Sequence, residues 1–494
     1  MSEHRTHHVI RRAGWAALAL LLAGGLTAWA APAQPEVGPY TIYIPYTQQG
    51  ANGTGTQPTP TPPPTQPTPT PPPTQQDSGL FLRTDPKTAS ADVAVDAAGG
   101  RHAVYTGYVG YGTLSPAYYA YCAAGAVCTD PANWATVSFG SGTDYFVKAE
   151  IRLTAAGHPR LLLYNEYGNR TYMYAACDAN CTSPTSWKTL NVLQVQNNID
   201  MDSFDYSYHT FALDPQGRPR FIYEDHYGSI HNGLYYVSCD AGCTDAANWS
   251  ETNISAGPDY DGDRVQTPDL EFTSAGQPRM ITQLYSRDEN YPSGVYYITC
   301  DQNCEQAANW QRTRLLDRGN GKASWTLALD ANDNPRVAIY QGELDAGGKQ
   351  LSYVTCDADC TDAAHWTQTV IDIGAEVGQS PDIALDPQGR PRIAIGIKED
   401  QGIGYLWCNS QCDVSANWQA QNAEPLDALA ADFAPPVPFT CDVSTWLGAR
   451  PQLALGPNGD PFIGYDGEFL VGNNFSCQST ISHRSARFTF FAQP

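Results

Sequence analysis

The stretch FALDPQGRPRFIY (Phe211 to Tyr223), followed by YVSCDAGCTDAANW (Tyr236 to Trp249), decides the fold because both halves recur along the chain. The first half is an apolar strand, a tight turn with Gly, and a second apolar strand. It returns as VAVDAAGGRHAVY, IRLTAAGHPRLLLY, LEFTSAGQPRMIT, LALDANDNPRVAI, IALDPQGRPRIAI and LALGPNGDPFIGY. The turn position falls on Gly99, Gly157, Gly217, Gly276, Asp333, Gly389 and Gly459, with spacings of 58, 60, 59, 57, 56 and 70 residues. Gly adopts positive φ without steric cost and Asp is among the few tolerated substitutes, so the fifth turn keeps the pattern.

The second half follows each of the first six turns. Its cysteines are Cys122/Cys128, Cys177/Cys181, Cys239/Cys243, Cys300/Cys304, Cys356/Cys360 and Cys408/Cys412. A Trp stands six residues after each second cysteine, at Trp134, Trp187, Trp249, Trp310, Trp366 and Trp418. Each pair is expected to close a small disulfide loop with Trp opening the next strand; metal ligation is disfavoured because each pair sits in a different repeat. Cys441 and Cys477 remain, and are expected to pair with each other.

Four strands per repeat, seven times over, is the arithmetic of an all-β, seven-bladed β-propeller. The segment GLFLRTDPKTASADVAVD (Gly79 to Asp96) mirrors TRLLDRGNGKASWTLALD (Thr313 to Asp330), which makes residues 79 to 84 an orphan fourth strand. The last repeat ends at RFTFFAQP, where a third strand finishes. An N-terminal strand completing the last blade would close the ring and remove exposed sheet edges.

Residues 79 to 494 therefore form the propeller. Residues 1 to 30 read as a signal peptide or an uncleaved anchor, with Arg11 and Arg12 before an apolar run and small residues at Ala28 and Ala30. Residues 31 to 55 are a short attachment segment. Residues 56 to 78 are a Pro/Thr-rich linker whose tandem TQPTPTPPP copies would extend about 56 Å as polyproline II. The expected location is outside the cytoplasm, extracellular or at the cell surface, with contact to a membrane only through an N-terminal anchor.

With 28 Lys plus Arg against 51 Asp plus Glu, and a net charge of -23, the chain lacks the clustered cations that nucleic acid binding needs. The connections opposite the Gly turns are longer and more variable, and are the expected binding face. They carry Glu166, Tyr167, Glu224, Asp225, Tyr227, Asp288, Tyr291, Glu343 and Glu399. Aromatic planes beside carboxylates suit sugar rings, which stack through C–H faces and donate hydroxyls to the acids. Two tracts have cation-ligand character, Asp200, Asp202 and Asp205, and Asp259, Asp261 and Asp263. Calcium is the cation such oxygen ligands would take, although no cofactor is required. Asp92, Glu150, Asp269 and Asp382 occupy equivalent positions near the axial channel, where they cap neighbouring amides or hold a cation.

The exported propellers related to sialidases carry Asp-box repeats, in which a Ser/Thr-x-Asp-x-Gly-x-x-Trp turn joins strands three and four. The turns CTDAANW (Cys243 to Trp249) and CTDAAHW (Cys360 to Trp366) resemble it, with the Thr-Asp pair and Trp present and the Gly absent. The resemblance spans residues 79 to 494 and implies the propeller fold. The sialidase Arg-Ile-Pro motif is missing, so sialidase activity is not implied. The leading expectation is a recognition or adhesion module for a glycan or a cell-surface protein. The alternatives are a polysaccharide lyase or glycoside hydrolase using His209, His226, Tyr208 and Glu224 of the third repeat, and a structural cell-envelope component.

Overall fold

The computed structural model describes residues 80–81, 90–106, 116–140, 144–166, 170–195, 209–225, 233–255, 265–284, 293–317, 323–344, 348–373, 380–397, 402–425, 443–447, 450–471 and 481–492. They form seven antiparallel sheets arranged as the blades of a propeller. Blade 3 is typical: Phe211–Leu213, Pro219–Asp225, Gly233–Cys239 and Trp249–Asn253 pair in sequence order, so that each strand hydrogen-bonds its predecessor.

The turn between the first two strands takes positive φ at every expected position, including Asp333 at 64°. Asp333 adds something glycine cannot. Its carboxylate accepts from the amide and the hydroxyl of Ser274, in the neighbouring blade's turn, at 2.7 and 2.6 Å. The acid opening several of these turns is local glue: Asp214 Oδ1 accepts the amides of Gln216 and Arg218, and Asp386 Oδ1 those of Gln388 and Arg390.

All six expected disulfides are present: Cys122–Cys128, Cys177–Cys181, Cys239–Cys243, Cys300–Cys304, Cys356–Cys360 and Cys408–Cys412. The first cysteine of each pair ends or follows a third strand and is buried. The second lies in the loop, where Cys181, Cys243, Cys304, Cys360 and Cys412 are partly exposed. Cys128 differs: its loop is two residues longer, and the sulfur-bearing side chain is buried in the interface between blades 1 and 7. Such a set of bridges is the chemistry of a protein that folds in an oxidising, exported setting.

The six-residue spacing to Trp is explained by a hydrogen bond from each indole Nε1 to the carbonyl of the second cysteine. Trp134 donates to Cys128 at 2.9 Å, Trp187 to Cys181 at 2.8 Å and Trp249 to Cys243 at 3.1 Å. Trp310 donates to Cys304 at 2.8 Å, Trp366 to Cys360 at 2.9 Å and Trp418 to Cys412 at 3.0 Å. In the CTDAANW and CTDAAHW turns, Asp245 and Asp362 cap a 3-10 turn by accepting from Ala247 and Ala364. In blades 2 to 6 the Arg of the Pro-Arg pair locks the Gly turn to the disulfide loop. Arg160 Nη1, for example, donates to Cys177 O at 2.8 Å and Nη2 to Asp178 Oδ1 at 2.6 Å.

From blade 2 onward, each of these Trp residues packs on a Tyr of the preceding blade three residues before its first cysteine. Trp187 meets Tyr119, Trp249 Tyr174, Trp310 Tyr236, Trp366 Tyr297 and Trp418 Tyr353, with centroids 4.9 to 5.3 Å apart and planes at 63° to 65°. The core is thus divided among the blade interfaces, one apolar cluster per interface, with Phe462, Phe488 and Phe490 of blade 7 against Val93, Tyr105 and Trp134 of blade 1. Burial of these aromatics between sheets is the dominant stabilising force.

Closure occurs as the sequence implies. Leu80–Phe81 pairs with Ile481–Phe490 through Leu80↔Phe488 and Phe81↔Arg487, and supplies the outer strand of blade 7. One element lies in the long connection before blade 7, where the sequence repeat supplies no strand. Val443–Leu447 is a strand that shares Pro461–Val471 with the innermost strand Gln452–Leu455. The 11-residue strand Pro461–Val471 outruns Gln452–Leu455, and the β-branched and aromatic VSTWL covers the edge left over. The expected pairing of Cys441 with Cys477 lies outside the described residues.

Candidate functional site

The innermost strands converge on the propeller axis, where one position repeats as Asp92, Glu150, Thr210, Asp269, Thr326, Asp382 and Gln452. The four acids among them reach into the next blade and accept an amide there, as Thr326 Oγ1 does more weakly from Ile383 N at 3.4 Å. Ile151 N donates to Asp92 at 2.8 Å, Phe211 N to Glu150 at 2.9 Å, Leu327 N to Asp269 at 2.6 Å and Leu453 N to Asp382 at 2.5 Å. The acids are interior hydrogen-bonding devices that staple blades 1, 2, 4 and 6 to their successors. Amide capping, one of the two roles the sequence allows these acids, is present in all four.

Two residues further along each strand stand Ala94, Arg152, Ala212, Glu271, Ala328, Ala384 and Ala454, of which all but Ala212 line an axial cavity. Arg152 and Glu271 break the ring of alanines and introduce charge into the channel. Arg152 Nη1 donates to Asp92 Oδ2 at 2.9 Å, and its Nη2 lies 2.5 Å from His209 Nδ1. On the other side of the imidazole, Nε2 lies 3.0 Å from Asp382 Oδ1, a close ionic contact without hydrogen-bond alignment. A chain of charge therefore crosses the axis, from Asp92 of blade 1 through Arg152 and His209 of blades 2 and 3 to Asp382 of blade 6. Lys148 and Glu150 form a separate buried pair at 2.7 Å.

The electrostatics follow from burial with too few cations. Desolvation raises Asp92 and Glu271, with Arg152 opposing in both. Burial pushes Asp269 up to about 7 against the pull of His209. Burial disfavours charge on His209, but Asp382 outweighs it and the imidazole pKa is raised. A proton on Nδ1 would have to displace Arg152. Beside this network lies a cavity of about 410 Å³, lined by Arg152, His209, Glu271 and Asp382 and otherwise by Ala, Val, Ile and Leu.

The sequence-selected residues fall in two places. His209 enters the axial network. Glu166 follows the second strand of blade 2, Glu224 and Asp225 end that of blade 3, and Glu343 is the penultimate residue of Pro335–Leu344 in blade 5. Glu224 is buried, opposite Leu234, and burial raises the pKa of Glu166 with Arg170 opposing. Tyr167, Tyr208, His226, Tyr227, Asp288, Tyr291 and Glu399 lie outside the described residues, as do the six cation candidates Asp200, Asp202, Asp205, Asp259, Asp261 and Asp263. Arg152 and Glu271 are functional candidates that the sequence reading missed. The signal was their departure from Ala when the repeats are aligned.

The topology defines a seven-bladed β-propeller with disulfide-locked blades. Neither a protein-family model nor a curated protein matches the sequence. Among solved structures, the chain is similar to a polysaccharide lyase, Uly1, at 11% identity with a TM-score of 0.48, covering 83% of this chain and 91% of that one. A protein of unknown function from Dyadobacter fermentans aligns at 10% identity and a TM-score of 0.44, covering 84% and 98%. The NanB sialidase of Streptococcus pneumoniae aligns at 10% identity and 0.40, covering 84% and 70%. At these values the blade topology, rather than the likeness, establishes the architecture.

Proposed function

We propose that this protein is an exported recognition module that binds glycan, on a polysaccharide or a sugar-bearing surface partner, through the acidic loop face. The observation that carries the reading is placement. Glu166, Asp225 and Glu343, from three blades, all stand at the ends of second strands remote from the Gly turns, and so share one rim of the ring. Rims of this kind present side chains from several blades to one extended ligand, and rigid scaffolds bearing variable loops are the usual carriers of binding. Carboxylates accept sugar hydroxyls, and the Tyr residues adjacent in sequence offer stacking planes.

The test is a polysaccharide panel titrated with the full chain, with and without calcium, while the mixtures are assayed for reducing ends and unsaturated products. Saturable binding without turnover is expected. The double variant Glu166→Gln/Glu343→Gln should weaken it about tenfold, the loss of one or two charged hydrogen bonds. Turnover would replace the recognition reading with an enzymatic one, and absence of saturable binding to any polysaccharide would remove the glycan.

A further inference from the structure

The loop rim is built differently at blade 7. The second strands of blades 1, 2, 3, 4 and 6 end seven or eight residues after their Gly turns, at Thr106, Asn165, Asp225, Leu284 and Gly396. Pro461–Val471 instead runs to 12 residues after Gly459. Its last five residues pair on one side with Val443–Leu447 and on the other with the beginning of Ile481–Phe490. The three strands make a ledge about 17 Å long at the loop end of the blade.

Register decides what stands together on this ledge. Trp446 pairs with Glu468, and Glu468 pairs with Arg484. Residues directly opposite one another in adjacent strands share a face of the sheet, so the three form one row. The row continues the face on which Ala486 and Phe488 join the apolar cluster between blades 7 and 1. Glu468 stands nine residues after its Gly turn, level with the rim acids Glu166, Asp225 and Glu343, which stand eight to ten after theirs. Among these rim acids only Glu468 has a register partner on both sides. Asp225 pairs with Gly233 alone, Glu343 falls in the interruption between Gln341 and Leu344, and Glu166 follows its strand.

The residue types in the row are those a sugar requires. An indole offers an apolar plane for the C–H face of the ring. A carboxylate accepts and a guanidinium donates, which are the two roles that neighbouring sugar hydroxyls ask of a partner. One negative and one positive charge cancel within the row, and the chain's net charge of -23 opposes polyanions.

We propose that Trp446, Glu468 and Arg484 form the subsite at which the loop rim holds a neutral sugar residue of its glycan. The proposal rests on the glycan reading and adds to it a place and a class of sugar.

The experiment is calorimetric titration of the full chain with the neutral polysaccharides laminarin, dextran and galactomannan and the acidic polygalacturonate and alginate. Saturable binding of at least one neutral polymer is expected, with the acidic ones about tenfold weaker or silent. Trp446→Ala and Arg484→Gln should each weaken that binding about tenfold, and Arg484→Gln decides the matter if Trp446→Ala does not fold. Binding left intact by both substitutions overturns the subsite; if Glu166→Gln/Glu343→Gln still weakens it, the glycan reading survives without it. Binding confined to the acidic polymers overturns the neutral class. Failure of the wild-type chain to bind any of the five removes the subsite together with the glycan reading.

Discussion

The rings of Tyr405 and Phe491 meet edge to face, with centroids 5.3 Å apart and planes at 84°. Tyr405 stands three residues before Cys408, the position from which Tyr119, Tyr174, Tyr236, Tyr297 and Tyr353 each receive the Trp of the following blade. Blade 7 has no such Trp among its described residues, and Phe491 occupies the contact instead. Phe491→Ala should therefore destabilise the ring by about 2–3 kcal/mol, less than a fully buried Phe because this one is partly exposed. Urea unfolding measures it, and a loss below about 0.5 kcal/mol, the level of an ordinary surface change, would show that Phe491 does not substitute for the missing Trp.

The fifth turn separates backbone from side chain. Asp333 holds φ at 64° and binds Ser274 across the blade boundary. Gly at this position keeps the conformation and loses two exposed hydrogen bonds; Ala loses them and adds left-handed strain of about 1–2 kcal/mol. Thermal unfolding should rank wild type above Asp333→Gly and Asp333→Gly above Asp333→Ala. An inverted order of the two variants would mean that backbone strain is not what limits this turn.

The parts of the molecule legible in the sequence are those built from local, repeated contacts. The turn at Gly217, the Cys239/Cys243 loop and the Trp249 hydrogen bond each close within a few residues, and six or seven copies make the pattern unmistakable. Closure by Leu80–Phe81 was legible because the orphan strand at one end matched a gap at the other. The axial network was not. Arg152, His209 and Asp382 come from three blades and meet only because the ring closes, so nothing in the neighbourhood of any one of them announces the others. Val443–Leu447 was missed for a related reason: it lies in the one long insertion, where there is no sister repeat to compare.

Arg152 should be the most sensitive charged position among these axial residues. It bonds Asp92 and contacts His209, so Arg152→Met strands a buried carboxylate beside an imidazole that has lost its neighbour. Removing one member of a buried ion pair costs about 3–5 kcal/mol. Asp92→Asn in the same chain should restore a large share, because the uncompensated charge then disappears and the Asn side-chain carbonyl can still accept the Ile151 amide. Denaturant unfolding of the two single variants and the double variant forms the cycle. Strict additivity would mean that the two side chains do not act as a pair.

Asp269 predicts a pH dependence whose sign is set by burial. Its pKa is pushed up to about 7, whereas in the unfolded chain it ionises in the ordinary carboxylate range. Below both values it is protonated in either state and contributes nothing. As the pH rises between them, only the unfolded chain releases the proton, and the folded state loses stability until the pH passes about 7. Asp269→Asn removes this penalty while an amide oxygen can still accept from Leu327 N. The variant should match wild type near pH 4 and melt at a higher temperature at pH 8, with the gap opening across the interval between. Parallel melting curves at all pH values, or a variant less stable at pH 8 than wild type, would show that Asp269 is ionised and compensated within the folded ring.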